Sequence, residues 1–313
     1  MARYVTISAF GAAAITSAGF RGQEAVDKMI KHWNCELQKV LPDQPDLIIV
    51  PEACDRYSDM TMEEKQNYYQ TRGNQVRDFF SAQAKANRCY IAYSACHEMP
   101  DGTWRNSTQI IDRQGNIAGI YSKNHLVIEE TTEGGILCGK DAQVIETDFG
   151  KLACVICFDL GFDELRLKYA AQQPDLIVFC SMYHGGLMEA YWAYSCRAHF
   201  AGAVCNLPCE IISPDGRTLA KSTNYFNYVT NSVNLDCKLV HLDGNWEKLD
   251  AMRAKYGRKV KVVDPGLLAS VLISSECDEF TVNDLIKEFD IELLDQYLNR
   301  SLAHHHNPKN IAP

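Results

Sequence analysis

The stretch Lys151-Leu-Ala-Cys-Val-Ile-Cys-Phe-Asp159 does most to constrain what this chain can fold into. It is a short apolar run, the pattern of a strand buried on both faces, and a helical pattern starts directly after it near Phe162. Cys157 therefore sits at a turn between a buried strand and a helix. There a sulfur meets free backbone amides and the positive end of a helix dipole, and both lower a thiol pKa. A cysteine at such a turn is a candidate nucleophile, although free cysteine more often serves as inert packing.

Two other charged residues stand in comparable places. Asp46-Leu-Ile-Ile-Val-Pro-Glu52 reads as a buried strand ending in a carboxylate, with Pro51 where a missing amide hydrogen is tolerated. Tyr121-Ser-Lys123-Asn-His-Leu126 follows a further strand at 116–121 and supplies an amine. Residues just past strand ends gather in the crevice where layered sheets bind ligands. A carboxylate, an amine and a thiol meeting there form a base, an oxyanion stabiliser and a nucleophile.

The rest of the chain reads as alternating helices and strands. Strands are expected at 3–10, 89–96, 103–112, 116–121 and 175–181, and helices at 22–40, 62–88, 162–172 and 186–202. Residues 10–18 have the small-residue look of a secretory signal, but the strand at 3–10 competes for the same region. Pro214-Asp-Gly216 marks a hairpin between 210–213 and 217–222. Further on come a strand at 233–242, a helix at 245–256 and a terminal amphipathic helix at 282–298. This order calls for helical layers on both faces of sheet, an α/β class.

These segments together resemble the nitrilase superfamily, the carbon-nitrogen hydrolases with a Glu-Lys-Cys triad. The resemblance covers residues 3–220 and rests on Leu47-Ile-Ile-Val-Pro-Glu52, Asn106-Ser with Gly115, Tyr121-Ser-Lys123-Asn-His-Leu126 and Gly150-Lys-Leu-Ala-Cys-Val-Ile-Cys157-Phe-Asp159. Asp175-Leu-Ile-Val-Phe-Cys-Ser181 and Arg197-Ala198 match the segments that follow. It implies a four-layer αββα sandwich, with a hydrolase domain over 1–280 and a C-terminal helix and tail over 281–313. That tail packs on its own core or reaches across a subunit interface, since family members associate as dimers and larger assemblies.

The resemblance further implies that Glu52 is the base, Lys123 the oxyanion stabiliser and Cys157 the nucleophile, with Glu133 as a second glutamate orienting Lys123 or the substrate. Glu129 and Glu130 stand close enough for a loop shift to exchange that assignment. Phe158 supplies an oxyanion amide, and Tyr183 and His184, just past a strand end, line the substrate pocket. The chain also departs from the pattern. Gly161 and Asp163 replace the arginine and proline common after the nucleophile, which weakens any transfer of carboxylate recognition from carbamoyl amino acid hydrolases. The glycine-rich segment after Asn206 is shortened.

Asp159 after Phe158 resembles the amidase and carbamoylase members, which implies an amide or N-carbamoyl substrate over nitrile cleavage, with water as the expected second reactant. The alternatives are nitrile hydrolysis and a non-catalytic binding protein on the same fold. Redox chemistry at Cys154 and Cys157 is disfavoured because strand residues three apart face opposite sides. Cys205 and Cys209 lack a second ligand pair, and His304-His-His306 reads as solvated tail, so no metal and no cofactor is expected. A net charge of −9 argues against nucleic acid or an anionic membrane as the main partner. Thirteen cysteines, an odd number without framework spacing, favour a reducing, cytoplasmic compartment.

Overall fold

The computed structural model describes residues 1–183, 185–206, 208–266 and 268–312. It divides into two compact units, one of Val5–Val233 and one of Met1–Tyr4 with Asn234–Pro313.

In the first unit, β1 (Tyr4–Phe10), β2 (Leu47–Ile49) and β3 (Tyr90–Glu98) run parallel, and β4 (Trp104–Ile111) and β5 (Ile117–Ser122) continue antiparallel. With β12 (Tyr228–Asn234) on the other side of β1, they form a sheet in the order β12-β1-β2-β3-β4-β5. The second sheet, β11-β10-β9-β8-β7-β6, has a parallel centre of β7 (Lys151–Ile156), β8 (Leu176–Ser181) and β9 (His199–Val204). Its flanks are β6 (Ile145–Glu146), β10 (Glu210–Ile212) and β11 (Thr218–Lys221).

The sheets pack face to face, β4 on β7 and β2 on β9. Helices α1 (Gly22–Leu37) and α3 (Gln75–Asn87) cover the first sheet. Their Met29, Trp33 and Phe80 bury against Ile48, Val50, Ile91 and Tyr93, while alternate strand residues face the other sheet. Helices α5 (Asp163–Gln172) and α6 (Leu187–Cys196) cover the second sheet. Four layers result, an αββα sandwich. The strands read as unbroken apolar runs because both faces are covered.

Several element boundaries differ from the sequence expectation. The expected helix at 62–88 is two, α2 (Met62–Arg72) and α3, because Gly73 takes φ +46°, a conformation other residues rarely adopt. The expected helix at 186–202 ends at Cys196, with Arg197 in the left-handed region at φ +57°, and the chain from His199 becomes a strand buried between β8 and β10. Here the tertiary environment overrides local periodicity. A short helix, α4 (Ile128–Thr132), lies where none was expected.

The second unit starts earlier than the expected boundary at 280. Its sheet of β13 (Cys237–His241), β15 (Ser270–Ser275) and β14 (Val260–Val263) shares one apolar core with α7 (Trp246–Tyr256) and α8 (Val282–Glu288). Met252, Val271, Ile273 and Leu285 lie in that core, so the contacts hold 237–288 together. The expected terminal helix is split into α8 and α9 (Leu294–His305), with Asp290 between them at φ +49°. His304-His-His306 is exposed.

One buried ion pair braces the first sheet. The Arg72 guanidinium of α2 lies 2.7 Å from Asp55, which also accepts the Tyr93 hydroxyl at 2.6 Å, and both charged side chains are almost wholly buried. Arg72→Met would strand the Asp55 charge, and removing one partner of such a pair costs about 3–5 kcal/mol. Urea unfolding should show a loss of that order, and an unchanged midpoint would contradict it.

Candidate active site

Each of the three candidate residues emerges where a strand stops. Glu52 follows β2 in a turn in which Ala53 takes φ +46°. Lys123 directly follows β5, and its amide still donates to the Asn106 carbonyl of β4 at 2.8 Å. Its own carbonyl accepts the Gly139 amide at 2.8 Å, and a Cβ at Gly139 would lie 2.2 Å from the Ser122 carbonyl, so only glycine allows that approach. Cys157 follows β7 and has φ +47°, a left-handed conformation unusual for cysteine.

The Lys123 side chain is 2 % exposed, and its ammonium donates to Glu52 Oε1 and to Glu130 Oε2, each at 2.8 Å. Asn106 Nδ2 bridges the same two carboxylates, at 2.8 Å to Glu52 Oε1 and 2.9 Å to Glu130 Oε1. The second oxygen of Glu52 accepts the Met182 amide, just past the end of β8, at 3.2 Å. The Glu52 carboxylate thus links both sheets. Burial disfavours the ammonium, but the charges of Glu52 and Glu130 outweigh it, and the Lys123 pKa is raised.

The second carboxylate on Lys123 is Glu130, in place of the expected Glu133. Glu130 is the third residue of α4, and its Oε2 also caps that helix by accepting the Val127 amide at 3.0 Å. Glu133, past the end of α4, is exposed and lines the cavity without bonding Lys123. Asn106 was among the residues of the matching segments but was not identified as a site residue. Its place on β4, one strand from Lys123 in the ladder, was the available signal.

The Cys157 thiol also corrects an expectation. Burial pushes its pKa up and the Glu52 charge pushes it further. Lys123, the Ser181 hydroxyl and the Met182 amide pull the other way without prevailing. No long helix starts at the cysteine. It opens a short 3-10 turn, 157–161, and α5 begins only at Asp163. The thiol pKa is therefore raised, where the turn position alone called for a lowered one.

Asp159 fixes this turn from within. It is fully buried and accepts the Ile156 amide at 3.1 Å, the Tyr121 hydroxyl at 2.7 Å and the His125 amide at 2.8 Å. It thereby ties the Cys157 turn to the segment that carries Lys123. Cys154, three residues earlier, is buried within β7.

A cavity of about 910 Å³ opens over these groups. Glu52, Asn106, Lys123, Glu130 and Cys157 line it, as do Phe158 and Tyr183, both exposed. His184 lies outside the described residues. One face of α2 forms part of the wall with Met62, Lys65, Gln66, Tyr69 and Gln70, at the spacing of a single helix face. Among the described residues, no group of three or more metal-ligating side chains is brought together. No described helix is long and apolar enough to cross a membrane.

A four-layer sandwich with a Cys, a Lys and a Glu at its strand ends and a second Glu on a short helix defines a class, and comparison with known proteins gives the family. Residues 12–240 match the model of the carbon-nitrogen hydrolases, and the chain belongs to this family, within the nitrilase superfamily. A probable nitrilase of Schizosaccharomyces pombe is 38 % identical over 73 residues, 23 % of this chain and 26 % of that protein. A deaminated glutathione amidase of Dictyostelium discoideum is 29 % identical over 121 residues, 35 % and 42 % of the two chains. The chain thus spans roughly a quarter to a half of the length of the curated relatives it matches.

Among solved structures, Saccharomyces cerevisiae Nit3 aligns with TM-score 0.64 at 14 % identity, over 82 % of this chain and 95 % of its own. An amidase from Nesterenkonia sp. AN1, in which the acetamide moiety of fluoroacetamide is covalently added at the active-site cysteine, gives TM-score 0.64 at 13 % identity, over 74 % and 90 %. At these identities the likeness is one of fold.

The pKa contributions predict opposite effects of two substitutions. Removing the Glu52 charge in Glu52→Gln should lower the pKa of Cys157, and removing the Lys123 charge in Lys123→Met should raise it. The measurement is the pH dependence of iodoacetamide labelling at Cys157, followed by peptide mass spectrometry because Cys35 and Cys138 are also exposed. A shift of the Glu52→Gln profile to higher pH would contradict the electrostatic account.

Proposed function

We propose that the protein hydrolyses a carbon-nitrogen bond of a small amide or N-carbamoyl compound through a thioester on Cys157. The observation that carries this reading is the buried Lys123 ammonium held between Glu52 and Glu130, in the cavity that Cys157 also lines. An ammonium so constrained cannot swing away, and it presents fixed positive charge where an oxyanion would form.

In this mechanism Glu52 takes the proton of Cys157, and the thiolate attacks the substrate carbonyl. Lys123 and the Phe158 backbone amide stabilise the oxyanion. As the intermediate collapses, the C–N bond breaks and Glu52 returns its proton to the departing ammonia or amine. Glu52 then deprotonates a water that attacks the thioester, releasing the acid and the thiol. Glu130 and Asn106 keep Lys123 and Glu52 in register throughout. Phe158 and Tyr183 contribute to the pocket wall. The residues after the nucleophile, Phe158-Asp159, favour an amide or carbamoyl group over a nitrile. The reading includes a reducing, cytoplasmic setting, in keeping with thirteen free cysteines, and self-association of the chain.

Incubation with small amides and carbamoyl amines should leave an acyl adduct on the wild type, detected by intact mass, and none on Cys157→Ala. Turnover that survives Cys157→Ala would exclude the mechanism. The two glutamates separate as well. Glu130→Gln should lower kcat by about 10²-fold or more, the scale of a positioned group in acid-base chemistry. Exposed Glu133→Gln should change it by less than about threefold, as an exposed substitution away from the reacting groups does. The reverse order would restore Glu133 to the role expected from sequence.

A further inference from the structure

His125, two residues after Lys123, makes contacts that the proposed chemistry does not use. Its Nδ1 lies 2.9 Å from Asp159 Oδ1, and its Nε2 lies 2.9 Å from Glu164 Oε1 on α5. A neutral imidazole has a single N–H, so it would donate to one carboxylate and turn a lone pair on the other. To hold both, the ring must carry a proton on each nitrogen. The side chain is 14 % exposed, and its ring stacks on Phe162 with centroids 3.9 Å apart and planes 7° from parallel, a face that favours a cation.

Asp159 supplies the reason for a cation here. Its carboxylate is wholly buried, and among the described residues no lysine or arginine forms an ion pair with it. A charge at such depth is costly, and a protonated His125 ring offsets it. The hydrogen bond to Asp159 is the largest influence on the His125 pKa and raises it, against burial and with help from Glu164. Glu164 is largely exposed, so water screens its share. Two further ionisable groups stand behind these carboxylates. The Tyr121 hydroxyl of β5 donates to Asp159 at 2.7 Å, and Lys168, one turn further along α5, acts on Glu164.

The consequence for the site is positional. The segment 121–125 wraps Asp159: the Tyr121 hydroxyl, the His125 amide and the His125 ring all meet its carboxylate, and the Asn124 amide donates to the Tyr121 hydroxyl at 3.4 Å. Lys123 lies within this segment, and Asp159 lies two residues past Cys157. From the ring the contacts continue through Phe162 to Phe158, met edge-on at 5.1 Å, and Phe158 lines the cavity. A neutral ring keeps one carboxylate at most, which frees the segment behind Lys123 from either the Cys157 turn or α5.

We propose that His125 is a positioning residue, an imidazolium that clamps the segment carrying Lys123 to the Cys157 turn and to α5, and that turnover falls when the ring gives up its proton. This rests on the hydrolase reading above and adds to it a control by pH. The clamp is complete at low pH and is lost as pH rises through the raised value of the ring.

The charge state is read without turnover. In protein isotopically labelled at histidine, the NMR signal of the His125 ring, identified by its absence from His125→Gln, should titrate above the ordinary value of about 6.5, and at lower pH in Glu164→Gln than in the wild type. Turnover is followed with butanamide, succinamate and N-carbamoylglycine. With whichever of these is cleaved, kcat should fall on the alkaline side where the ring titrates, and the fall should move to lower pH in Glu164→Gln. His125→Gln, in protein whose circular dichroism and melting match the wild type, should lower kcat about tenfold or more, change KM less than about threefold, and lose the alkaline fall. A ring that titrates at or below the ordinary value, or an alkaline fall that stays in place in Glu164→Gln, or one that survives in His125→Gln, would overturn the clamp. Failure of the hydrolase reading looks different: the ring titrates as expected, which supports the clamp, yet no acyl adduct forms on Cys157 with any of the three compounds.

Discussion

A buried ammonium is expensive, and the site is arranged around meeting that cost. Lys123 is removed from water between two strand ends, and burial alone would lower its pKa. Glu52 and Glu130 reverse this, but only if both carboxylates are held at hydrogen-bonding distance. Asn106 holds them there by donating to each, and the Met182 amide pins the remaining oxygen of Glu52. The groups that satisfy this lysine, which itself follows β5, therefore come from the turn after β2, from β4 and from α4 in one sheet region and from the end of β8 in the other. Removing any of them leaves a charge in low dielectric, so the network tolerates no partial version of itself.

The same network accounts for the state of Cys157. The carboxylate that stabilises Lys123 raises the cysteine pKa, and the strained φ of +47° turns the sulfur out of the strand toward the cavity. The lowering of the thiol pKa at a helix terminus that the sequence pattern called for is replaced by a raised pKa, under burial and the Glu52 charge. Asp159 supplies the mechanical link, since one buried carboxylate holds the Cys157 turn, Tyr121 and His125 together. Mobility of the thiol relative to Lys123 is thereby limited without a direct bond between them.

The site's legibility in the sequence varied with the kind of structure carrying each residue. Glu52, Lys123 and Cys157 follow apolar runs that have to be buried strands, and strand ends in a layered sheet converge, so their meeting could be read in advance. Glu130 could not be separated from Glu129 and Glu133 in that way. Which of the three faces inward depends on the start of the five-residue α4, whose first turn Glu130 caps, and so short a helix leaves no periodicity to read. Gly73 and Arg197 likewise end helices by backbone conformation in stretches whose apolar spacing continues past the break.

By itself the sequence determined the layered α/β class and the three strand-end residues, because burial on both faces leaves an unbroken apolar signature in a short segment. Only the tertiary structure decided the second glutamate, the bridging role of Asn106 and the direction of the Cys157 pKa shift. Each of these depends on distances between groups far apart in the chain, and on how much water remains around them. Charge-charge and desolvation energies follow that geometry, which residue order does not specify.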